Sequence, residues 1–422
     1  MKFIKYKHWK AIAQKAAALL LSASFLVSSP LCAYADQGPG VSAGQGDGQP
    51  VLTPGESYYQ YQWGLKNDGN IRRISYVFSA IPIRRGPGEI GWLGAQGQMV
   101  REVVTDSVNG IDINVEPAWD YYEQSTSRRT VTVALIVTGV DITHSDLAGS
   151  IWVNEDEIAG DGIDNDGNGY IDDVNGWNFY SNNNQVFDGD EDDHGTHGAG
   201  TIAGAWNGQG ITGIADGNYV KIMVLKALGS ENGQGMAQSV KDAIRYAQAN
   251  GADICNLSMG TSSYDPEMEA LMQNSSMLFV VSAGNGDNWG RGYNIDYWPV
   301  YPAAYTGDNS ITVANLMFNG SLDESSNFGT FSVDIAAPGT YILSTTPGGY
   351  GFMSGTSMAA PMVTGVAALV YSCRTDLSLM DVRQGIFASA KPLEEMAGKL
   401  TSGGIFDAYG ALTHGLAVNV GR

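Results

Sequence analysis

The sequence predicts an α/β fold with a mostly parallel β-sheet, and the spacing of its apolar residues is the reason. Short apolar stretches typical of fully buried strands lie at residues 131–136, 220–225, 252–257 and 277–282. Between the second and third stretch, Val240, Ile244 and Ala247 share one face of a helix predicted over residues 236–249. Short strands that alternate with amphipathic helices are typical of parallel βαβ units.

The composition favours a single folded domain. The chain is 43% hydrophobic and 16% charged, which is too apolar for a disordered protein. No internal repeat occurs, and no second core follows Val370. We therefore predict one domain over residues 58–422, with a β-rich insertion near residues 70–109, where alternating apolar residues and paired arginines interrupt the βαβ rhythm.

The first 35 residues predict a signal peptide. Lys2, Lys5, Lys7 and Lys10 precede an apolar run over residues 16–27, and Ala33-Tyr34-Ala35 is a small-residue cleavage pattern. A membrane anchor is the alternative, but the run is too short to span a bilayer comfortably. We expect a secreted, extracellular protein, with a flexible tail rich in Gly, Pro, Ser and Gln over residues 36–57.

The charge balance excludes several classes of partner. The formal net charge is −21 at pH 7, so nucleic acid and anionic membrane surfaces are poor partners. An exported acidic chain suits calcium, which prefers clustered carboxylates. Beyond the signal peptide only Cys255 and Cys373 remain, which excludes a disulfide framework. We expect a monomer that binds neither nucleic acid nor membrane.

Three motifs carry candidate catalytic residues. The most specific reads GTSMAAP at residues 355–361 and leads into an apolar helix, where backbone N–H groups near Ser357 favour a developing anion. A serine at a helix start is by itself most often an N-cap. The other two motifs are HGTHGAG at residues 194–200 and SAGNG at residues 282–286.

His194 and Asn285 each have two possible uses. His194 and His197 have the spacing of a metal pair, but no nearby Glu or Cys completes a zinc ligand set. His194 serves better as a base for Ser357, because imidazole takes up and returns a proton near neutral pH. Asn285 either satisfies a turn or donates to a tetrahedral oxyanion together with the backbone N–H of Ser357.

With these motifs in the order His, Asn, Ser, the sequence resembles the subtilisin-like serine proteases, the subtilases, from Tyr58 to Leu416. The resemblance implies a three-layer sandwich with a central, mostly parallel sheet flanked by helices. It also implies hydrolysis of a polypeptide substrate through an acyl-enzyme. By match to the motifs, Ser357 is the nucleophile, His194 the general base and Asn285 the oxyanion donor.

The resemblance also implies two segments that pair with an extended substrate through backbone hydrogen bonds. Their residues, together with the glycine before Asn285, are Ser258, Met259, Gly260, Asn232, Gly233 and Gly284. Val300, just before Tyr301-Pro302, is placed by the resemblance at the floor of the primary substrate pocket, which it makes shallow.

The sequence departs from the family pattern at Val137. The family's aspartate follows an apolar strand and precedes Thr-Gly, and residues 131–139 read VTVALIVTG. Valine cannot accept a hydrogen bond from the imidazole of His194, so it neither fixes the tautomer nor stabilises the imidazolium. Four nearby acids have two possible interpretations. Each either takes the place of the family's aspartate or, more simply, is a surface or calcium-linked carboxylate. These are Asp141, Asp146, Asp192 and Asp193.

A calcium site is predicted at residues 164–173, which read DNDGNGYIDD. Oxygen ligands at alternate positions around a glycine bend resemble an EF-hand loop, without its last glutamate or long helices. The predicted ligands are Asp164, Asp166, Asn168 and Asp172. The alternative is an acidic, solvated turn.

Three functions are compatible with the sequence. The first is a secreted endopeptidase whose activity is reduced by Val137. The second is an inactive pseudoprotease that binds a peptide or a partner protein. The third is a calcium-dependent adhesive module, for which Ser357 has no role.

Overall fold

The structure is a computed structural model that describes residues 40–41, 57–78, 82–86, 89–92, 99–229, 237–287 and 289–416. The predicted signal peptide, most of the predicted tail, and the substrate-segment residues Asn232 and Gly233 lie outside these residues. The strands are β1 (Gly40–Val41), β2 (Ile71–Phe78), β3 (Pro82–Gly86), β4 (Glu89–Trp92), β5 (Met99–Asp106), β6 (Val131–Val137), β7 (Gly176–Asn178), β8 (Val220–Lys226), β9 (Ile254–Leu257), β10 (Leu278–Ser282), β11 (Ser310–Leu316), β12 (Ile335–Pro338), β13 (Ile342–Thr346), β14 (Gly349–Met353), β15 (Lys391–Pro392) and β16 (Gly404–Ile405). The helices are α1 (Glu116–Gln124), α2 (Asp193–Ala203), α3 (Ala237–Ala249), α4 (Pro266–Gln273), α5 (Thr356–Cys373), α6 (Leu379–Ala388) and α7 (Ala408–Thr413).

A nine-stranded sheet forms the centre of the described part of the chain. Its strand order is β15-β16-β12-β11-β10-β9-β6-β8-β7, and only the β15–β16 pair at one edge is antiparallel. The four strands predicted from apolar stretches are β6, β8, β9 and β10, and they are neighbours in the middle of the sheet. The prediction of an α/β fold with a mostly parallel sheet is confirmed.

Helices cover both faces of this sheet. Alternate residues of β6 point to opposite sides, so that Val133, Leu135 and Val137 pack in one core with α2 and α5. Ala134 and Ile136 pack in a second core with α3 and α4. The result is the three-layer sandwich that the family resemblance implies.

Helix α5 is the most apolar helix in the described residues. It is long and apolar enough to cross a membrane by length and composition, yet 94% of that stretch is buried inside the fold. Its buried residues pack against the strands β9 to β12. Its composition is therefore explained by its place in the core.

The strands β1 to β5 are antiparallel and lie outside the main sheet. Strand β2 pairs with β5, strand β3 pairs with β4, and the short strand β1 pairs with β2. The segment just before β2 is tied to the main domain, because the indole of Trp63 donates to the carbonyl of Thr340 at 2.9 Å. Gln62 exchanges two hydrogen bonds with the backbone of Thr212.

Candidate active site

Ser357 lies in the first turn of α5, and the residue before the helix sets its position. Gly355 has a φ of 148°, in the region that favours glycine, and a Cβ atom there would lie 3.2 Å from Nδ2 of Asn285. Ser357 is 6% exposed, and its hydroxyl lies 3.5 Å from the carbonyl oxygen of Ser258. The hydroxyl is thus held at the positive end of the longest described helix.

Asn285 is fixed against the start of α5. Its Oδ1 accepts hydrogen bonds from the backbone N–H and the hydroxyl of Thr356, at 2.8 and 2.9 Å. The same hydroxyl accepts from the N–H of Gly284 at 3.1 Å. The two bonds to Oδ1 orient the amide, and its Nδ2 would lie 3.2 Å from a Cβ atom on Gly355, two residues before Ser357.

His194 lies in the first turn of α2, and its ring lacks hydrogen-bond partners. Both ring nitrogens are buried and neither has a partner among the described residues. Burial alone lowers the pKa of His194 from 6.5 to about 4, because it disfavours the charged imidazolium. The ring is therefore neutral at neutral pH, and no carboxylate offsets the cost of protonating it.

Close packing of two helices brings His194 and Ser357 to the same end of the sheet. A Cβ atom on Gly198 would lie 3.7 Å from the ring of Pro361, so α2 and α5 approach closely there. Gly198 lies one helical turn after His194, and Pro361 lies one helical turn after Ser357. No direct hydrogen bond joins His194 and Ser357 in the described structure, and such bonds are often long without substrate.

Val137 ends β6 directly beside the turn that carries His194. Its side chain is 2% exposed, and its Cγ2 would lie 2.8 Å from a Cβ atom on Gly195. The hydroxyl of the following residue, Thr138, is also buried without a partner among the described residues. The side chains of His194 and Thr138, both near the buried Val137, thus have buried polar atoms without a hydrogen-bond partner among the described residues. Such atoms are rare in folded proteins.

None of the four nearby acids takes the place of Val137. Asp141 accepts from the backbone and hydroxyl of Thr143 and from the N–H of Gly348. Asp146 accepts from the N–H of Ile211 at 2.9 Å. Both residues are buried, at 5% and 2% exposed, so the interpretation of Asp141 and Asp146 as surface carboxylates is wrong.

The other two acids precede His194 in the chain. The interpretation of Asp192 as a surface or calcium-linked carboxylate is wrong, because it is 0% exposed and lies 2.6 Å from Nζ of Lys226. Burial raises the pKa of Asp193, which lies at the start of α2. Since both ring nitrogens of His194 are without partners, neither acid accepts a hydrogen bond from that ring.

Val300 lies against two of the predicted substrate-binding residues, Gly260 and Gly284. Cγ1 of Val300 would lie 2.7 Å from a Cβ atom on Gly260 and 3.6 Å from one on Gly284. Ser258 and Met259 precede Gly260 and are buried, and Val300 is 8% exposed. The structure therefore brings Ser258, Gly260, Gly284 and Val300 together beside Ser357, with a valine methyl group between the two glycines.

The acidic loop contains a group of carboxylates suited to a metal ion. Ligand oxygens of Glu157, Asp164 and Asp166 all lie within 4.8 Å of one another. Glu157 was absent from the predicted ligands. The run of three acids at residues 155–157, just before the loop, is the sequence feature that could have indicated it. Asp172 instead accepts from the N–H groups of residues 160–162, and Asn168 donates to Asp166 at 2.9 Å.

The donor set of this loop fits calcium. The three clustered side chains offer only carboxylate oxygens, the ligand type that Ca²⁺ prefers. Glu157 is buried and is oriented by the N–H groups of Asn165 and Asp166. A buried, oriented carboxylate is a better ligand than the freely rotating acids of a solvated turn.

The loop is anchored to the sandwich at its end. The hydroxyl of Tyr246 in α3 donates to the fully buried Asp173 at 2.5 Å. Asn154 donates to both Asp166 and Asp173, at 3.1 and 2.9 Å. The aromatic ring of Tyr170 packs edge-on against Tyr246. Order in the acidic loop is therefore coupled to the core.

Comparisons with known proteins agree with this geometry. Residues 128–411 match the profile of the Subtilase family. The chain is 34% identical over 265 residues to the major intracellular serine protease of Bacillus subtilis, covering 62% of this chain and 74% of the relative. It is 31% identical over 313 residues to subtilisin-like protease 1 of Plasmodium berghei, covering 69% of this chain and 51% of the relative.

A third relative comes from an archaeon. The chain is 34% identical over 307 residues to halolysin of Haloferax mediterranei, covering 71% of this chain and 52% of the relative. The chain thus spans about half the length of two of these relatives and about three quarters of the Bacillus subtilis protein.

Proposed function

Because this chain belongs to the subtilase family, we propose that it is a secreted serine endopeptidase in which Val137 occupies the place of the triad aspartate and slows the reaction. The family carries serine endopeptidase chemistry, and a polypeptide is its substrate. The observation that carries the proposal is that the imidazole of His194 has no hydrogen-bond partner among the described residues and lies beside the buried Val137. Ser357 and Asn285 remain at the start of α5.

The proposed reaction uses three side chains. The hydroxyl of Ser357 attacks the scissile carbonyl carbon while Nε2 of His194 accepts its proton. The developing oxyanion receives hydrogen bonds from Nδ2 of Asn285 and the N–H of Ser357. His194 then gives the proton to the leaving amine, which leaves an acyl-enzyme that water hydrolyses by the same route.

Val137 acts on the charged state of His194. When the imidazole becomes an imidazolium, a triad aspartate stabilises that charge, and a valine methyl group does not. Burial already lowers the pKa of His194 to about 4, so protonation in the transition state is costly. In subtilisin, loss of the aspartate lowers kcat by a factor of about 3 × 10⁴, which corresponds to an increase of about 6 kcal/mol in the activation free energy.

A fluorophosphonate probe tests this proposal, because it reacts only with a serine that a base activates. We expect slow labelling of the native chain and much faster labelling, with peptide cleavage, of Val137→Asp. Ser357→Ala in both backgrounds is the control and removes the label. A Val137→Asp chain that folds normally yet shows neither labelling nor cleavage would contradict the proposal.

The second candidate function is a pseudoprotease that binds a peptide or partner without cutting it. The absence of any carboxylate on the ring of His194 in the described structure favours it. In the same experiment it predicts no labelling of the native chain even at high probe concentration, and activity only in Val137→Asp. Peptide binding by the native chain, measured by fluorescence anisotropy, would then define its role.

We also propose that Ca²⁺ binds the acidic loop. Glu157, Asp164 and Asp166 would hold it, and the ion would offset most of the negative charge of three clustered carboxylates. Its role would be structural, because the loop is anchored to α3 through Tyr246 and Asp173 and takes no part in the proposed reaction.

A further inference from the structure

A buried ion pair joins three segments around the candidate active site, and the proposed reaction does not use it. Nζ of Lys226 lies 2.6 Å from Oδ1 of Asp192, and the two side chains are 1% and 0% exposed. Nζ also donates to the carbonyl oxygen of Thr138 and lies 3.2 Å from a carboxylate oxygen of Asp188. Asp192 in turn accepts from the N–H of Asp188 at 2.7 Å.

The pair lies beside both Val137 and His194. Lys226 is the residue of β8 directly opposite Val137 of β6. Asp192 immediately precedes α2, two positions before His194. A Cβ atom on Gly139 would lie 2.4 Å from Oδ2 of Asp192, so the backbone after β6 packs tightly against this carboxylate. Lys226 therefore connects the end of β6 to the start of α2.

The position of His194 depends on this connection. In a complete triad an aspartate holds the imidazole, but here the ring has no hydrogen-bond partner among the described residues. The ring can then be placed only through the backbone of the first turn of α2 and its packing contacts. Asp192 immediately precedes this turn, and its carboxylate is bound to Lys226. The ion pair therefore fixes the point at which the turn begins.

We propose that Lys226 and Asp192 are positioning residues, which hold the first turn of α2 so that His194 faces Ser357 although no acid holds the ring. This inference rests on the proposed function for its catalytic consequence. A role in stability alone explains the pair less well, because buried ion pairs often add no net stability over apolar residues of similar size.

The test compares a double variant with its parent in two backgrounds: the native Val137 chain, where no acid holds the ring and the fluorophosphonate labelling rate is the readout, and Val137→Asp, where kcat and KM are also measured. Asp192→Asn alone leaves the charge of Lys226 buried and is expected to destabilise the fold. Asp192→Asn combined with Lys226→Met removes both charges and the connection to Thr138, and this double variant is expected to fold. In the native background we expect its fluorophosphonate labelling rate to fall about tenfold to a hundredfold. In Val137→Asp, where the new carboxylate also holds the ring, we expect a smaller fall in kcat with little change in KM.

A spectroscopic measurement reports on the ring directly. The chain has five histidines, so ¹⁵N-histidine labelling gives few ring signals, and His194→Ala assigns the relevant one. We expect the double variant to shift or broaden the His194 signal in the native Val137 background as well. This measurement needs no catalytic activity, so it remains informative if the proposed function fails.

The matched control is the ion pair between Lys241 and Asp265, at 3.1 Å, which joins α3 and α4 on the opposite face of the sheet. Lys241→Met with Asp265→Asn is expected to leave both the labelling rate and the His194 signal unchanged. Unchanged labelling and an unchanged His194 signal in the Asp192→Asn, Lys226→Met variant would overturn the positioning role. If the Val137→Asp parent is itself unreactive but the His194 signal moves as expected, the proposed function fails and the positioning role stands.

Discussion

At the scale of single residues, the chemistry of the site depends on what surrounds one imidazole. The ring of His194 has no hydrogen-bond partner among the described residues, and burial lowers its pKa to about 4. Without a carboxylate, nothing in the described structure favours the imidazolium that the reaction must form. Val137 therefore changes the energy of an intermediate charge state, while the serine, the asparagine and the fold remain in place.

The pH dependence of labelling tests this account of His194. The base is active only when neutral, so the labelling rate of the native chain should rise with pH through about 4 and be flat above. In Val137→Asp the new carboxylate stabilises the imidazolium, raises the pKa of His194 and moves the inflection to higher pH. Rate constants for labelling between pH 3.5 and 8 check this, and identical inflections in the two chains would contradict it.

The second prediction at this scale concerns Val300. Its methyl group lies between the glycines that line the proposed pocket, so the pocket should accept only small side chains. Val300→Ala in the Val137→Asp background should raise kcat/KM for peptides with leucine before the cleaved bond, relative to alanine, by about tenfold or more. Peptide pairs that differ only at that residue measure the ratio. A ratio that does not change would place Val300 outside the pocket.

At the scale of elements, short glycine contacts and buried hydrogen bonds fix how the helices meet the sheet. Thr364 in α5 illustrates this, because its hydroxyl donates to Oδ1 of Asn256 in β9 at 2.8 Å. Asn256 then donates to the hydroxyl of Ser258 at 2.9 Å, in the segment beside Ser357. The chain of bonds links the core of the sandwich to the candidate active site.

Replacement of Thr364 by valine should therefore weaken the fold. The change keeps the shape but leaves a buried oxygen of Asn256 without its donor, which costs about 1–3 kcal/mol in the free energy of unfolding. Urea denaturation measures the loss. Ser127→Ala, at an exposed hydroxyl pair with Thr375, is the control and should change the free energy little. Equal stability of Thr364→Val and the parent would count against this bond.

The acidic loop gives the second element-scale expectation, which is stabilisation by calcium. Ca²⁺ at a hundredfold excess over its dissociation constant should raise the free energy of unfolding by about 2.7 kcal/mol. Glu157→Gln should abolish most of this gain, because Glu157 is the buried member of the cluster. Glu155→Gln changes an exposed acid of the same segment and should preserve it. Melting curves recorded with Ca²⁺ and with a chelator measure this stabilisation. If Glu157→Gln keeps the full stabilisation by Ca²⁺, the proposed site is contradicted.

At the scale of the whole molecule, the net charge of −21 at pH 7 is the dominant property of the surface. Mutual repulsion among carboxylates destabilises a compact acidic protein, and salt screens it over a Debye length of about 10 Å at 0.1 M. Raising NaCl from about 0.05 to 0.5 M at constant Ca²⁺ should therefore raise the melting temperature. Choline chloride should have the same effect, and a response to NaCl alone would indicate sodium binding instead.

The sequence by itself determined the class of fold. Parallel strands buried on both faces are mostly apolar, so β6, β8, β9 and β10 were visible as nearly continuous apolar runs. The motifs around Ser357, His194 and Asn285 were visible because glycine and small residues are needed where helices begin and pack closely. The departure at Val137 was visible only through the family resemblance, because the apolar strand before it and the Thr-Gly after it match the family pattern.

Only the tertiary structure decided what the charged residues do. Lys226 is a polar end to an apolar strand in the sequence, and only strand register places it opposite Val137 and against Asp192. Glu157 joins Asp164 and Asp166 because the loop folds back on itself, which spacing alone does not specify. Periodicity encodes which face of an element is buried, whereas the partner of a buried charge depends on contacts between segments distant in the chain.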